Sequence, residues 1–195
     1  MTSSSTFAAW LRALPALAGE PPALDTDALP DDPVVLFERW IREAAGAGVA
    51  EPHAATLATV DAEGMPDART LIVKDVTDRG WAFAGPRGSA KGGQLAAAPA
   101  AALSLWWQPL RRAVRVRGRV QEAPRQESDA DLAARSAAAR EGLQPGEWVR
   151  WWLEPQRVEF WQGASDRRHL RIVYERADRA WTRSIVNGET TKSER

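Results

Sequence analysis

The sequence predicts a mainly β protein with flanking helices, its strands antiparallel and arranged as one sheet or barrel. Three observations carry this. Six or seven short segments rich in β-branched and aromatic residues follow one another at close spacing. Tight-turn sequences, Asp61-Ala62-Glu63-Gly64 and Thr77-Asp78-Arg79-Gly80, join successive segments. Few helices intervene, which argues against a βαβ arrangement.

The elements follow in order. Phe7 to Leu17 reads as a short amphipathic helix with Phe7, Trp10, Leu11 and Leu14 on one side. Gly19 to Asp32, rich in Pro, Asp and Ala, is an extended linker, so residues 1–31 form a helix-and-linker arm. Asp32 is an N-cap with Pro33 at the first helical position. Val34, Phe37, Trp40, Ile41 and Ala44 recur at helical spacing behind it, and Gly46 and Gly48 end the helix. Strands are expected at Ala55 to Val60, Pro66 to Asp75 and Trp81 to Ala84. Ser89 to Ala97 is a short helix closed by Pro99. Ala101 to Trp107 and Ala113 to Gln121 are two more strands, joined through Pro109 and a pair of arginines, and Glu127 to Gly142 is an Ala-rich helix. Trp151 to Trp161, Leu170 to Tyr174 and Ala180 to Ile185 complete the sheet. One domain therefore spans residues 32–186, followed by a polar tail, 187–195, expected to be disordered.

Composition excludes several function classes. Lys plus Arg equals Asp plus Glu at 26 each among 195 residues, so net charge offers no pull toward nucleic acid or an anionic membrane. The absence of cysteine removes disulfides, thiolate metal sites and cysteine nucleophiles, and two histidines, His53 and His169, do not make a histidine-rich metal site. Met1 to Thr6 has no positive charge before the apolar stretch and Arg12 interrupts it, so a secretory signal is not expected. No run approaches the roughly 18 apolar residues of a membrane span. The expectation is a cytoplasmic protein with neither membrane nor nucleic-acid partner.

Three cationic clusters carry the chemistry. Arg69 and Lys74 share the second strand, five residues apart, and need a bulge or twist to reach one rim. Arg87-Gly88-Ser89-Ala90-Lys91 puts a glycine, a hydroxyl and an ammonium where a helix begins, a plausible phosphate cradle. Arg167, His169 and Arg171 alternate after Glu159-Phe160-Trp161-Gln162-Gly163, and on an extended chain they line one face beside the Trp161 ring. Most of the ten tryptophans, Trp40, Trp106 and Trp148 among them, are read as core or interface packing; Trp161 is the exception. Glu159 is an acid without an evident partner. No Gly-x-Ser-x-Gly and no serine with an evident histidine and acid partner is present, so the residues favour binding a planar anionic cofactor over hydrolysis.

In this order the blocks resemble the pyridoxamine 5′-phosphate oxidase family, flavoproteins with an FMN-binding split β-barrel. The resemblance runs from about Asp32 to Tyr174: the Asp32–Trp40 helix, Ala58-Thr59-Val60-Asp61 with Gly64 and Pro66, Arg69-Thr70-Leu71-Ile72-Val73-Lys74, Gly88-Ser89-Ala90-Lys91, and the block from Val158 to Arg171. It implies a homodimer with FMN in the groove between subunits. Arg69, Lys74, Ser89, Lys91, Trp161 and Arg171 would contact FMN; Arg167 and His169 would face the substrate as catalytic residues, with Lys74 and Arg135 also binding it. It further implies that hydride passes from a substrate carbon to flavin N5 and that O₂ reoxidises the flavin. The substrate is either pyridoxamine or pyridoxine 5′-phosphate or a reduced ring compound of a specialised, phenazine-like pathway. The alternative is a split-barrel flavin carrier or sensor without turnover.

The chain also departs from the family pattern. Ala90 stands where a second basic residue is usual, Ala113 where a glutamine touches the flavin, and Asp131, Arg135 and Ala139 where a tyrosine, an arginine and a serine clasp the substrate phosphate. A segment of some tens of residues before the Trp151 strand is missing. Each lost charged contact weakens phosphate binding by a few kcal/mol.

Overall fold

The computed structural model describes residues 3–144, 146–178 and 180–187. Helix α1 (Ser3–Ala13) leads through an extended arm to α2 (Pro33–Gly46), then to the hairpin β1 (Ala54–Val60) and β2 (Pro66–Ile72). The short β3 (Asp75–Thr77) turns into β4 (Gly80–Pro86), α3 (Ala90–Ala97), β5 (Ala100–Trp107) and β6 (Arg112–Glu122). Helices α4 (Arg125–Ala133) and α5 (Ala137–Arg140) precede β7 (Trp148–Gln162), β8 (Leu170–Ala177) and β9 (Ala180–Asn187). The strands pair antiparallel in the order β2-β1-β5-β6-β7-β4-β3, with β8 on β7 and β9 on β8. This is the expected mainly β, antiparallel architecture with flanking helices. No helix among the described residues is long and apolar enough to cross a membrane.

Strand β7 holds the two halves together. One edge pairs with β6 from Arg112↔Gln162 to Glu122↔Trp151. The other edge is shared: Trp148–Leu153 pair with β4, and Arg157–Gln162 pair with β8. Pro155 sits in the gap between those partners, where its missing N–H costs no bond to either. Opposite it the register slips between Arg117 and Gly118. A Cβ on Gly118 would stand 1.9 Å from the Glu154 carbonyl oxygen, so only glycine lets the strands close there.

Alternation fills the barrel interior. Leu57, Leu103, Leu105, Val114, Val116, Val158, Phe160 and Ile172 point inward and are buried. Helix α2 closes the core with Leu36, Phe37, Trp40 and Ala44, and Asp32 caps it by accepting the Val34 N–H at 2.8 Å. Phe160 meets Trp40 edge-on at 5.2 Å, and Phe37 meets Trp81 at 5.4 Å. Burying rings of this size contributes about 2–3 kcal/mol apiece. Arg112 is the buried exception: its guanidinium lies 4.1 Å over Trp40, pairs with Glu43 and donates to Gln162 Oε1 at 2.7 Å. Burial draws its pKa down from the guanidinium range, and Glu43 opposes that.

Barrel side chains donate to carbonyls of the extended arm from Leu14 to Asp31, and Glu20 N–H donates back to Pro109 O at 3.0 Å. Gln108 reaches Ala18 O (2.8 Å), Gln162 reaches Pro22 O (3.2 Å), and Tyr174 reaches Pro30 O (2.7 Å).

Several elements differ from the sequence reading. The segment Pro66–Asp75 is not one strand: Val73 N–H donates to His53 O and Lys74 N–H to Ala82 O, so the chain crosses from one end of the sheet to the other and closes the barrel. Counting the short β3 that this division creates, the described residues form nine strands, more than the six or seven expected. The expected helix Glu127–Gly142 breaks into α4 and α5, because Ser136 starts a new turn by accepting the Ala139 N–H. The first helix runs earlier, ending ahead of Pro15, since the residue before a proline avoids helical geometry. The expected tail lies outside the described residues beyond Asn187, the last residue of β9.

Gly118→Ala is expected to lower unfolding free energy by about 2 kcal/mol. Gly93→Ala, with nothing within 4 Å of its Cβ, should be neutral or slightly stabilising. Chemical denaturation of the two variants measures both.

Candidate functional site

The structure distributes the predicted residues over three neighbourhoods. The first is an anion cradle at the start of α3. Ser89 caps that helix, accepting the Gly92 N–H at 3.4 Å, which leaves the Ala90 and Lys91 N–H groups without intrahelical carbonyls. Lys91 Nζ lies 3.3 Å from Ser89 Oγ and 5.9 Å from the Trp151 ring. Its end lies against Gly85, where a Cβ would stand 2.2 Å from Nζ and push the ammonium from this position. Among the described residues Lys91 forms no ion pair with a carboxylate. Burial first, then the Arg69 charge, holds its pKa below the ordinary lysine value. Arg69 is anchored by four bonds, from Nη1 to Thr59 Oγ1 (2.5 Å) and Leu57 O (3.4 Å), and from Nη2 to Asp67 Oδ2 (2.6 Å) and Gln94 Oε1 (2.8 Å). A hydroxyl, two free N–H groups, an unpaired ammonium and a guanidinium form a donor set suited to a phosphate.

The second neighbourhood is a cleft of about 320 Å³ lined by Lys74, Asp131, Ala134, Arg135, Ser136 and Ala139. The strand break at Val73–Lys74 is what sends Lys74 here rather than alongside Arg69. Arg135 stacks on Trp148 at 4.3 Å, and the Trp148 indole donates to Asp131 Oδ2 at 2.7 Å. The cleft thus carries two cations and one carboxylate.

The third neighbourhood lies on the outer face of the sheet. Trp161 stands opposite Ala113 on β6 and Arg171 on β8. Its ring packs 6.0 Å from Trp106 and 4.9 Å from His169. His169 Nδ1 accepts the Ala164 N–H at 3.1 Å, so a neutral imidazole carries its proton on Nε2. The alternating cationic face is not built as an extended strand. Arg167 is left-handed, with φ of 66°, its N–H bonds Ala164 O at 3.1 Å, and β8 begins only at Leu170. Asp166 makes this turn by accepting both the backbone N–H (3.0 Å) and Nε (2.8 Å) of Arg168, and the Arg168 side-chain bond holds its carboxyl below the usual range. Glu159 does have partners. This buried carboxylate collects Arg115, Arg157 (3.1 Å) and Arg171 (3.2 Å), two of them from the neighbouring strands.

Thr59, Asp67 and Gln94 were not singled out from the sequence. Gln94 follows Lys91 by three residues on α3, a spacing that places both on one helix face and could have marked it. Asp67 and Thr59 are brought to Arg69 by strand alternation and cross-strand pairing.

The first and third neighbourhoods are far apart within one chain. Lys91 lies over Trp151, and Trp161 is ten residues further along β7, at most about 30 Å of strand.

Residues 41–162 match the family model described as Pyridoxamine 5′-phosphate oxidase, and residues 148–187 match Pyridoxine 5′-phosphate oxidase C-terminal dimerisation region. The pyridoxine/pyridoxamine 5′-phosphate oxidase of Burkholderia vietnamiensis is 37% identical over 81% of this chain and 88% of its own length. That of Thermosynechococcus vestitus is 36% identical over 82% and 90%. Among solved structures, PhzG from Burkholderia lata 383, in complex with tetrahydrophenazine-1-carboxylic acid, matches with a TM-score of 0.79 at 27% identity, covering 87% of this chain and 100% of that one. A pyridoxamine 5′-phosphate oxidase-related, FMN-binding protein from Nostoc punctiforme shares the fold, with a TM-score of 0.65 at 20% identity over 77% and 96%.

Fold and relatives together define the class, an oxidoreductase built on a split β-barrel. The chain belongs to the pyridoxamine 5′-phosphate oxidase family and carries that family's dimerisation region.

Because the folded-state pKa of Lys91 is lowered, its charge opposes folding at pH values below that pKa. The penalty disappears as pH rises toward the unfolded value of 10.5. Lys91→Met should therefore raise the ligand-free melting temperature at neutral pH by about 1–3 °C, and the gap should close near pH 10. Differential scanning calorimetry across that range checks it.

Proposed function

We propose that this protein is an FMN-dependent oxidase acting as a homodimer, each flavin held between one copy's Arg69–Ser89–Lys91 cradle and the other copy's Trp161–Arg171 face. The observation that carries this is the separation of those two halves along β7, which a second copy overcomes. The outer face has the form a partner needs: small residues, Ala58, Ala102 and Ser104, flank the arginines around Glu159. The matched dimerisation region covers β7 to β9 and supports the same arrangement.

FMN, when bound, supplies the hydride acceptor for substrate oxidation and passes electrons to O₂. The chain's own residues bind and orient. The cradle takes the phosphate through Ser89, Lys91 and the first N–H groups of α3. Trp161 provides a flat wall, and Arg171, fixed through Nε by Glu159, presents its remaining N–H groups toward the ring system. His169, packed against Trp161 at a tilt with Nδ1 occupied, offers the Nε2 proton to a substrate heteroatom. Arg167, exposed on its turn, supplies charge beside it.

For the substrate, the cleft of Lys74, Asp131 and Arg135 favours a reduced ring compound bearing a single negative charge. A phosphate dianion would meet the Asp131 carboxylate, which the Trp148 indole fixes in place, whereas a carboxylate is balanced by the two cations. PhzG, whose structure holds a tetrahydrophenazine carboxylic acid, is a precedent of that chemistry. Pyridoxine or pyridoxamine 5′-phosphate is the second reading, favoured by the names of relatives at 36–37% identity and by the retained arginine of the cleft.

The purified protein should be yellow and should release FMN on denaturation. Arg171→Ala is expected to weaken FMN binding about 10- to 100-fold. His169→Ala should keep FMN and slow turnover by about 10²-fold or more. Flavin fluorescence titration and oxygen uptake with pyridoxine 5′-phosphate and with a dihydroaromatic carboxylate separate these outcomes. A colourless protein that takes up no FMN would refute the cofactor, and faster turnover of the phosphate ester would reverse the substrate preference.

A further inference from the structure

We propose that Asp67 is a built-in competitor for the cofactor phosphate, a carboxylate that occupies the Arg69 guanidinium and sets how tightly the cradle holds its anion. The proposal rests on the reading of that cradle as a phosphate site.

The bonds of Arg69 define the competition. A guanidinium has five N–H donors. Four are engaged, to Thr59, Leu57, Gln94 and Asp67, and only Nε lacks a partner among the described residues. Thr59, Leu57 and Gln94 offer neutral oxygens that hold the side chain in position. Asp67 alone offers a charge, on the Nη2 edge at 2.6 Å. Gln94 braces both partners: its Oε1 accepts from Arg69 and from Thr59 (2.5 Å), and its Nε2 donates to Asp67 Oδ2 at 3.1 Å. The Gln94 bond, then the Ala68 N–H and the Arg69 charge, hold the Asp67 carboxyl below the usual carboxylate range, so it is ionised throughout the neutral region. Asp67 follows Pro66 at the start of the edge strand β2, where its side chain is about half exposed and free to swing aside.

Lys91 completes the argument by contrast. It sits beside Arg69, close enough for that charge to depress its pKa, yet Asp67 makes no ion pair with it. The cradle is thus half neutralised: one cation is satisfied internally and the other is left for a ligand. An arriving phosphate can bind Lys91, Ser89 and the α3 N–H groups at once, but it gains the Nη2 edge of Arg69 only by displacing Asp67. Before that displacement, phosphate and carboxylate repel each other.

Replacing the carboxylate by its neutral isostere keeps the bond to Arg69 and removes the competing charge. Asp67→Asn should tighten FMN binding about 3- to 10-fold at low ionic strength, with the gain shrinking as salt is added. Riboflavin, which has no phosphate, should bind wild type and variant equally. Both follow from quenching of flavin fluorescence on titration, with no turnover required, and Asp67→Ser provides a second neutral side chain. Unchanged or weaker FMN binding by both variants would overturn the proposal, since Asp67 would then only position Arg69. An equal gain for riboflavin would also overturn it, because the effect would lie outside the phosphate. If wild type and variants alike bind no FMN, it is the reading of the cradle as an FMN phosphate site that fails.

Discussion

The structure depends on one strand having two different neighbours along a single edge. Strand β7 pairs with β6 throughout, but its other edge passes from β4 to β8 across Pro155. Proline is tolerated there because no ladder bond is required, and Gly118 is required opposite because nothing larger fits beside Glu154. This change of partner seats β8 on the far half of that edge, with β9 beyond it and Ile172 and Tyr174 still in the main core. It also sets the functional geometry. Lys91 and Ser89 gather near the start of β7, and the aromatic and arginine face lies near its end. On the proposed reading these are two half sites, which a second copy would join.

Charge is used differently in the two halves. Only three lysines, at 74, 91 and 192, stand among 26 basic residues, and the two within the described body both fall in the candidate site. Arginines elsewhere are mostly tied to carboxylates: Arg112 to Glu43, Arg87 to Glu122, and three around Glu159. Arg171 belongs to that last group, held by the same buried carboxylate that stitches β6, β7 and β8. Lys91 has no carboxylate partner among the described residues: it donates to Ser89 Oγ and sits beside Gly85 and the Trp151 ring, where burial lowers its pKa.

Much of this was legible in the sequence. Asp32-Pro33 announced α2 because capping is a local event, and the turn residues marked the hairpins for the same reason. Ser89 and Lys91 were legible because a helix start is local too. The misreadings involve contacts that local sequence does not encode. Val73 and Lys74 look like strand continuation, yet their N–H groups bond to His53 and Ala82 from opposite ends of the sheet. Arg167 to Arg171 look alternating, but Asp166 folds the chain into a turn before β8 begins. Glu159 looked unpartnered because two of its three arginines arrive from other strands. Asp67, the carboxylate inside the cradle, was invisible as a site residue until register set it beside Arg69 and Gln94.

The central claim, that each site is assembled from the cradle of one copy and the aromatic face of another, is tested by subunit complementation. Lys91→Ala and Arg171→Ala chains are each expected to bind FMN weakly as homodimers. Co-refolded as a mixed dimer, they form one site carrying both substitutions and one carrying neither. The account predicts recovery of one tightly bound FMN per mixed dimer, read by flavin fluorescence on the isolated heterodimer. A mixed dimer with no tight site would contradict it, placing both halves of the site within one chain.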